Sequence, residues 1–354
     1  MVTPNDRTGD VEVARGRPSP AHDRGPSARP DGSPDTSSGR FVHEAFLYQS
    51  DDEVLDVLVP FLREALERGD AAVVDLDDRK ANLLRRELGR HAHDVTFIGG
   101  RWYTNPASAI REYVRLFESL VADDDGRSIR FVGELPGTAT NGSWPSWRRY
   151  ESAINVAFDE LPVWSICLFD RSTLPSGVLT DVLCTHPQLT TPSGPHTANE
   201  LYTHPREWLT RLSPRPHCEV ERTAPHVELV DPAPHAARAA IAALADGLSD
   251  SDRDGLLVGV SEVVSNAILH GEGPATLRAW AGDGYVVATV DDRGTGVADP
   301  LVGLVPQRRE IGAGGLGLWL THQLCDDVAL MQHRDGFRVR LVAGDACKHA
   351  SLSH

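Results

Sequence analysis

The sequence predicts two domains: an α/β domain with a mostly parallel sheet, then a smaller α+β sandwich with an antiparallel sheet and helices on one face. Three observations predict this. Between residues 41 and 187, short apolar runs alternate with stretches of helical period, the pattern of βαβ units. Proline steps then crowd residues 186 to 225 and mark a boundary. Beyond them, two helices precede a hairpin and further strands, the order of an antiparallel sheet covered by helices.

Residues 1–40 hold no Leu, Ile, Phe, Tyr or Trp. Such a tail buries too little apolar surface to offset its ordering entropy, so disorder is expected. The strands of the first domain, 41–187, are read from "EAFLYQ", "AAVVDL", "VTFIGG", "IRFVGE" and "VWSICLFD". The helices between and after them are expected at about 51–68, 78–89, 106–122, 146–159 and 175–184. Ligands of such folds bind beyond the carboxyl ends of the strands. Those ends are polar here: Asp75, Asp77, Gly99, Gly100, Gly133, Glu134, Asp170 and Arg171. No GxxxxGK[ST] occurs in this half, which argues against a Walker-type ATPase site there.

Residues 188–225 are expected to be an irregular linker, interrupted by a short helix near 200–212. In the second domain, 226–345, "HVELV" reads as a strand, followed by helices at 234–247 and 251–270. "ATLRAWA" and "GYVVATVDD" are strands joined by Gly282-Asp283-Gly284, a hairpin signal. A glycine-rich loop, a helix at 315–325 and strands near 327–333 and 336–343 complete it, with 346–354 as a tail.

The formal net charge of −16 argues against nucleic acid or anionic membrane as partners. No apolar run reaches bilayer-spanning length and no signal-peptide core is present, so a cytoplasmic location is expected. The five cysteines are scattered without CxxC spacing, which fits reduced thiols better than disulfides or zinc.

Three motifs in the second domain carry chemistry. In "EVVSNAILHG", Glu262, Asn266 and His270 fall within roughly 80° of one another on one helical stripe, beside an apolar sector of Leu256, Val260, Val263, Val264 and Ala267. In "DDRGTG", Asp292 ends a strand before Gly294 and Gly296. A carboxylate there accepts a hydrogen bond from an exocyclic amine, and the glycines admit a flat ring close to the backbone. In "GAGGLGLWL", four glycines run into a helix, where free N–H groups and the helix dipole favour a phosphate.

Together these resemble the GHKL, or Bergerat, ATPase fold, with Glu262-x-x-x-Asn266 as N-box, Asp292 to Gly296 as G1 box and Gly312 to Gly317 as G2 box. "SEVVSNAILHG" and "GGLGLWL" are most similar to its anti-sigma factor/serine kinase branch. The resemblance implies ATP and Mg²⁺ as cofactors. It implies Asn266 as the Mg²⁺ ligand, Asp292 on the adenine amine, and Gly294 and Gly296 as the adenine pocket floor. Gly312, Gly314, Gly315, Leu316 and Gly317 would wrap the phosphates, and Glu262 would act as general base. The chain departs from the family at Gly336-Phe337, where Gly-Thr is usual.

The first domain resembles the MEDS sensory family, a RecA-like module, through "HEAFLY", "FVGE", Arg148 to Asn155, and "CLFD" followed by "THP". This implies an unknown small-molecule signal, with His43 and Glu134 as sensory candidates at the open edge of the sheet.

The leading expectation is a sensor controlling an ATP-dependent serine/threonine kinase that acts on a sigma factor or its antagonist. The chain could also form a homodimer, as relatives often do. One alternative is a non-catalytic module that sequesters a partner, which Gly336-Phe337 favours. The other is an atypical sensor histidine kinase. It is disfavoured because the Pro-broken segment cannot form phospho-acceptor helices and His235 lacks a charged neighbour.

Overall fold

A computed structural model describes residues 40–100, 102–103, 105–122, 127–137, 144–192, 194–212, 218–306 and 316–344. Both tails expected from the sequence, Arg40 aside, lie outside them.

β1 (Val42–Tyr48), β2 (Ala71–Asp75), β3 (Val95–Phe97), β4 (Ile129–Gly133) and β5 (Val163–Asp170) alternate with α1 (Asp51–Arg68), α2 (Asp78–Leu88), α3 (Pro106–Val121) and α4 (Trp144–Ala157). α5 (Ser176–Thr185) follows β5. The strands form a mostly parallel sheet in the order β3-β2-β4-β5-β1 and onward. α1, α2 and α3 each have a capping residue at their start. Ser50 caps α1 by accepting from the Glu53 N–H, and three acidic residues in its first turn oppose the helix dipole. Asn105 caps α3 ahead of Pro106. α1 and α2 bury Leu58, Leu62, Leu84 and Leu88 against one sheet face. α3, α4 and α5 bury Ile110, Phe117, Ile154 and Val182 against the other.

The expected irregular linker is corrected at this point. β6 (Gln188–Thr191) pairs parallel with β1, and β7 (Gly194–Ala198) pairs antiparallel with β6. β7 is the sheet's edge strand. α6 (Pro205–Arg211) buries Leu209 in the same core as α3 and α4. A short 3₁₀ turn at Glu219–Arg222 belongs instead to the second domain. There the buried pair Arg340 Nη2–Glu221 Oε2, 2.7 Å, pins it to the sheet.

The second domain is an antiparallel sheet in the order β11-β12-β10-β9-β8. Its strands are β8 (Val227–Val230), β9 (Thr276–Gly282), β10 (Tyr285–Asp292), β11 (Asp327–His333) and β12 (Gly336–Gly344). The β9–β10 turn, Asp283-Gly284, places Gly284 at φ 73°, a left-handed conformation that glycine adopts without a Cβ penalty. α7 (Pro234–Ala242), α8 (Asp250–His270) and α9 (Leu316–Leu324) cover one face. α8 and α9 approach closely because α8 presents glycines to its neighbour. A Cβ on Gly255 would run into the Leu324 carbonyl, and one on Gly259 would stand 3.0 Å from Cys325 Sγ.

The two domains touch. Leu301 and Leu304, on the stretch leading toward α9, are each 3% exposed and lie in the apolar core of the first domain. Arg111 Nη1 of α3 donates to Gln323 Oε1 of α9 at 2.5 Å, and Ser146 Oγ of α4 to Asp327 Oδ1 at 3.3 Å.

Candidate nucleotide and signal sites

The polar stripe of α8 emerges at the end of the glycine-lined seam with α9. A Cβ on Gly317, one residue into α9, would stand 2.5 Å from Glu262 Oε2 and 3.5 Å from Asn266 Nδ2. A methyl group there would crowd the end of the flexible Glu262 side chain while meeting Asn266 at ordinary contact distance. The C-terminal end of α8 meets the end of β10 in the same way. A Cβ on Gly271 would lie 2.9 Å from Asp292 Oδ1, which accepts the Gly294 N–H at 2.6 Å. Glu262, Asn266, Asp292, Gly294 and Gly317 therefore converge from α8, β10 and α9. Their glycines let backbone and side chains pack closely at this point, and a carboxylate and an amide oxygen are groups that suit Mg²⁺ and an adenine amine. Leu316 is 65% exposed beside them. Gly312, Gly314 and Gly315 lie outside the described residues.

Gly296 sits at φ 68°, and a Cβ there would collide with the ring of Phe337. Phe337 pairs with Asp292 across β10 and β12. The residue that departs from the family thus packs against the glycine expected to floor the adenine pocket. His270 is exposed at the end of α8.

In the first domain, a cavity of about 450 Å³ opens over the carboxyl ends of the parallel strands. Glu134 lines it, together with Tyr48, Asp77, Lys80, Gly99, Gly100 and Asp170. Glu134 Oε1 accepts from the Tyr48 hydroxyl at 2.7 Å, while its Oε2 lies 2.8 Å from Lys80 Nζ. Lys80 also meets Asp77 Oδ2 at 2.8 Å. Burial lifts the Glu134 carboxyl above its ordinary range against the pull of Lys80. For Lys80, burial works downward but the bonds to Asp77 and Glu134 outweigh it and raise the ammonium, so it stays charged. The site is an ion pair with a phenol in a cavity whose lining also includes Leu135, Leu168, Phe169 and Leu174.

His43 is not part of this cavity. It lies near the opposite end of β1 from Tyr48, 1% exposed, with Nδ1 bonded to Asn155 Oδ1 at 3.1 Å and Nε2 3.3 Å from Cys167 Sγ. The expectation that it joins Glu134 at the open edge is corrected. β1 begins on the amino side of the sheet, and the His43 side chain turns in under α4. Conversely, the sequence reading passed over Lys80. It is one of two lysines in a chain whose other basic residues are arginines, which was a usable signal.

Comparison with known proteins adds two domain assignments. Residues 42–187 match the family described as MEDS, the methanogen/methylotroph, DcmR sensory domain. Residues 225–343 match the histidine kinase-like ATPase domain. No curated protein matches the chain. Among solved structures, the RsbU and RsbW domains of a protein from Mycobacterium tuberculosis are similar at 25% identity, covering 33% of this chain and 32% of that one, with a TM-score of 0.23. The chain spans about a third of that structure's length.

Proposed function

We propose that this chain, a MEDS sensory domain joined to a histidine kinase-like ATPase domain, is a signal-controlled protein kinase. It transfers phosphate from ATP to a serine or threonine of a partner in a sigma-factor regulatory system. The observation that carries the reading is the convergence of Glu262 and Asn266 with Gly317, next to Asp292 and Gly294. Asn266 would hold Mg²⁺, and the ion when bound would supply charge neutralisation for phosphoryl transfer. Asp292 fixes the adenine amine. The Glu262 carboxylate takes the proton of the attacking hydroxyl as the phosphoryl group moves in line. The signal is a small polar molecule in the cavity of Glu134, Lys80 and Tyr48, and α3 and α4 carry its effect to α9.

Calorimetry with Mg-ATP on the full chain tests the site. Wild type and Glu262→Ala should bind, and Asn266→Ala should not. Only wild type should phosphorylate a partner. Retained binding in Asn266→Ala would overturn the site as drawn. A second reading, a docking module that sequesters its partner without nucleotide, is favoured by Phe337 packing on Gly296. Absence of ATP binding in wild type would select it.

A further inference from the structure

Four side chains from distant parts of the first domain meet under its sheet, away from both sites described above. His43 of β1, Glu151 of α4, Cys167 of β5 and His186, just past α5, each offer one ligand atom, and these atoms lie within 4.8 Å of one another. All four are buried. We propose that this cluster is a metal site for one divalent transition cation, Zn²⁺ by the nature of its donors, held by His43 Nε2, Glu151, Cys167 Sγ and His186 Nε2.

The separations fit. Bonds of about 2.0–2.3 Å to a tetrahedral cation place neighbouring donors about 3.3–3.8 Å apart. Here Cys167 Sγ to His43 Nε2 is 3.3 Å, His186 Nε2 to Glu151 Oε2 is 3.4 Å and His43 Nε2 to Glu151 Oε2 is 3.8 Å.

The histidine tautomers are set from outside the cluster, as for metal-bound imidazoles. Asn155 Nδ2 donates to the carbonyls of Glu151, Ser152 and Thr185, so its Oδ1 must accept, and His43 Nδ1 carries the proton. His186 Nδ1 donates to the Val182 carbonyl at 2.8 Å. Both Nε2 lone pairs are thereby left facing inward.

The cluster is also unfinished as a hydrogen-bond network. Glu151 Oε2, 2% exposed, and His186 Nε2, fully buried, make no hydrogen bond, although they lie 3.4 Å apart. Buried polar atoms without partners are costly. A cation satisfies both at once. On binding, the Cys167 thiol and the Glu151 carboxyl each release a proton. One thiolate, one carboxylate and two neutral imidazoles then balance the 2+ charge, so no net charge is buried. A thiolate, two imidazoles and a carboxylate in a tetrahedral set favour zinc over magnesium or calcium.

The test uses the full chain, expressed with added zinc and purified without chelator. Elemental analysis should find one zinc per chain, and X-ray absorption at the zinc edge should find one sulfur and three nitrogen or oxygen neighbours. Cobalt substitution should give visible tetrahedral bands and a near-ultraviolet thiolate charge-transfer band, which Cys167→Ser removes. The absorption measurement needs no variant, so a misfolded substitution does not leave the question open. A folded chain without zinc, a zinc shell without sulfur, or a charge-transfer band that survives in folded Cys167→Ser would each overturn the proposal.

Discussion

Gly317 and Glu262 stand so close that a single methyl group at the glycine would lie 2.5 Å from the glutamate's Oε2. The obstructed atom is the end of a flexible side chain. Gly317→Ala should therefore leave the fold intact, shifting unfolding free energy by less than about 1 kcal/mol, as surface-near changes without a buried collision do. It should also turn the carboxylate away from its position. Displacing a general base by about 1 Å lowers turnover by about 10²-fold. Denaturant melts and steady-state kinetics on the same preparation check both halves. An Ala variant with wild-type turnover would mean that Glu262 does not act from this position.

Gly296 and Phe337 give a second pair with the opposite character, because here the obstruction is a packed ring. Phe337→Ala should cost about 3–5 kcal/mol, the usual range for truncating a buried Phe. Gly296→Ala should be severe in wild type, since it adds a collision with the ring to a left-handed backbone. In the Phe337→Ala background only the backbone penalty, about 1–2 kcal/mol, should remain. A double-mutant cycle by urea denaturation measures this, and simple additivity would show that the ring and the glycine do not meet.

How much of this was legible in the sequence depended on how local the information was. α1 was expected at 51–68 and spans Asp51–Arg68, because Ser50, an acidic first turn and Gly69 mark its ends within the segment itself. Glu262 and Asn266 were legible for the same reason, since a four-residue spacing on one helix declares a shared face. β6 and β7 were hidden. Their pairing depends on β1, far earlier in the chain, and the prolines around them argued for irregular backbone. The grouping of His43, Glu151, Cys167 and His186 was hidden too. No short spacing links residues that only the stacking of β1, β5, α4 and the end of α5 brings together. The strand-end rule pointed to the end of the sheet where Glu134 lines a cavity, but it could not supply Lys80, which enters from the first turn of α2.

The Lys80–Glu134 pair predicts a pH dependence. Lys80→Met leaves the Glu134 carboxyl in a site that burial already pushes upward, now without its counter-charge. A carboxyl with a raised folded-state value contributes stability that is fully present below its unfolded value. That contribution is lost as pH rises through the folded value. The variant should therefore stay near wild type at about pH 4 and fall behind progressively toward pH 8, by about 3–5 kcal/mol where a buried partner is stranded. Adding Glu134→Gln should remove the pH slope and restore most of the loss. Guanidinium melts across the range decide it, and a pH-independent deficit would show that Lys80 acts through packing alone.

The contact between domains makes the last prediction. Leu301 and Leu304 sit between the end of β10 and α9, yet they are buried in the core that α3 and α4 share. Arg111 and Gln323 fasten α9 to α3 directly. ATP held beside Gly317 of α9 must therefore work against, or with, the packing of the first domain, and any such coupling is reciprocal. Mg-ATP should slow amide exchange in α3 and α4 of wild type, although neither helix borders Glu262 or Asp292. Leu304→Ala should abolish that remote protection while keeping the local protection of α8. The combined Arg111→Ala and Gln323→Ala variant should weaken it without the cost of a core cavity, because its polar partners sit nearer solvent. Equal remote protection in all three proteins would show that the two domains share a surface without sharing a response.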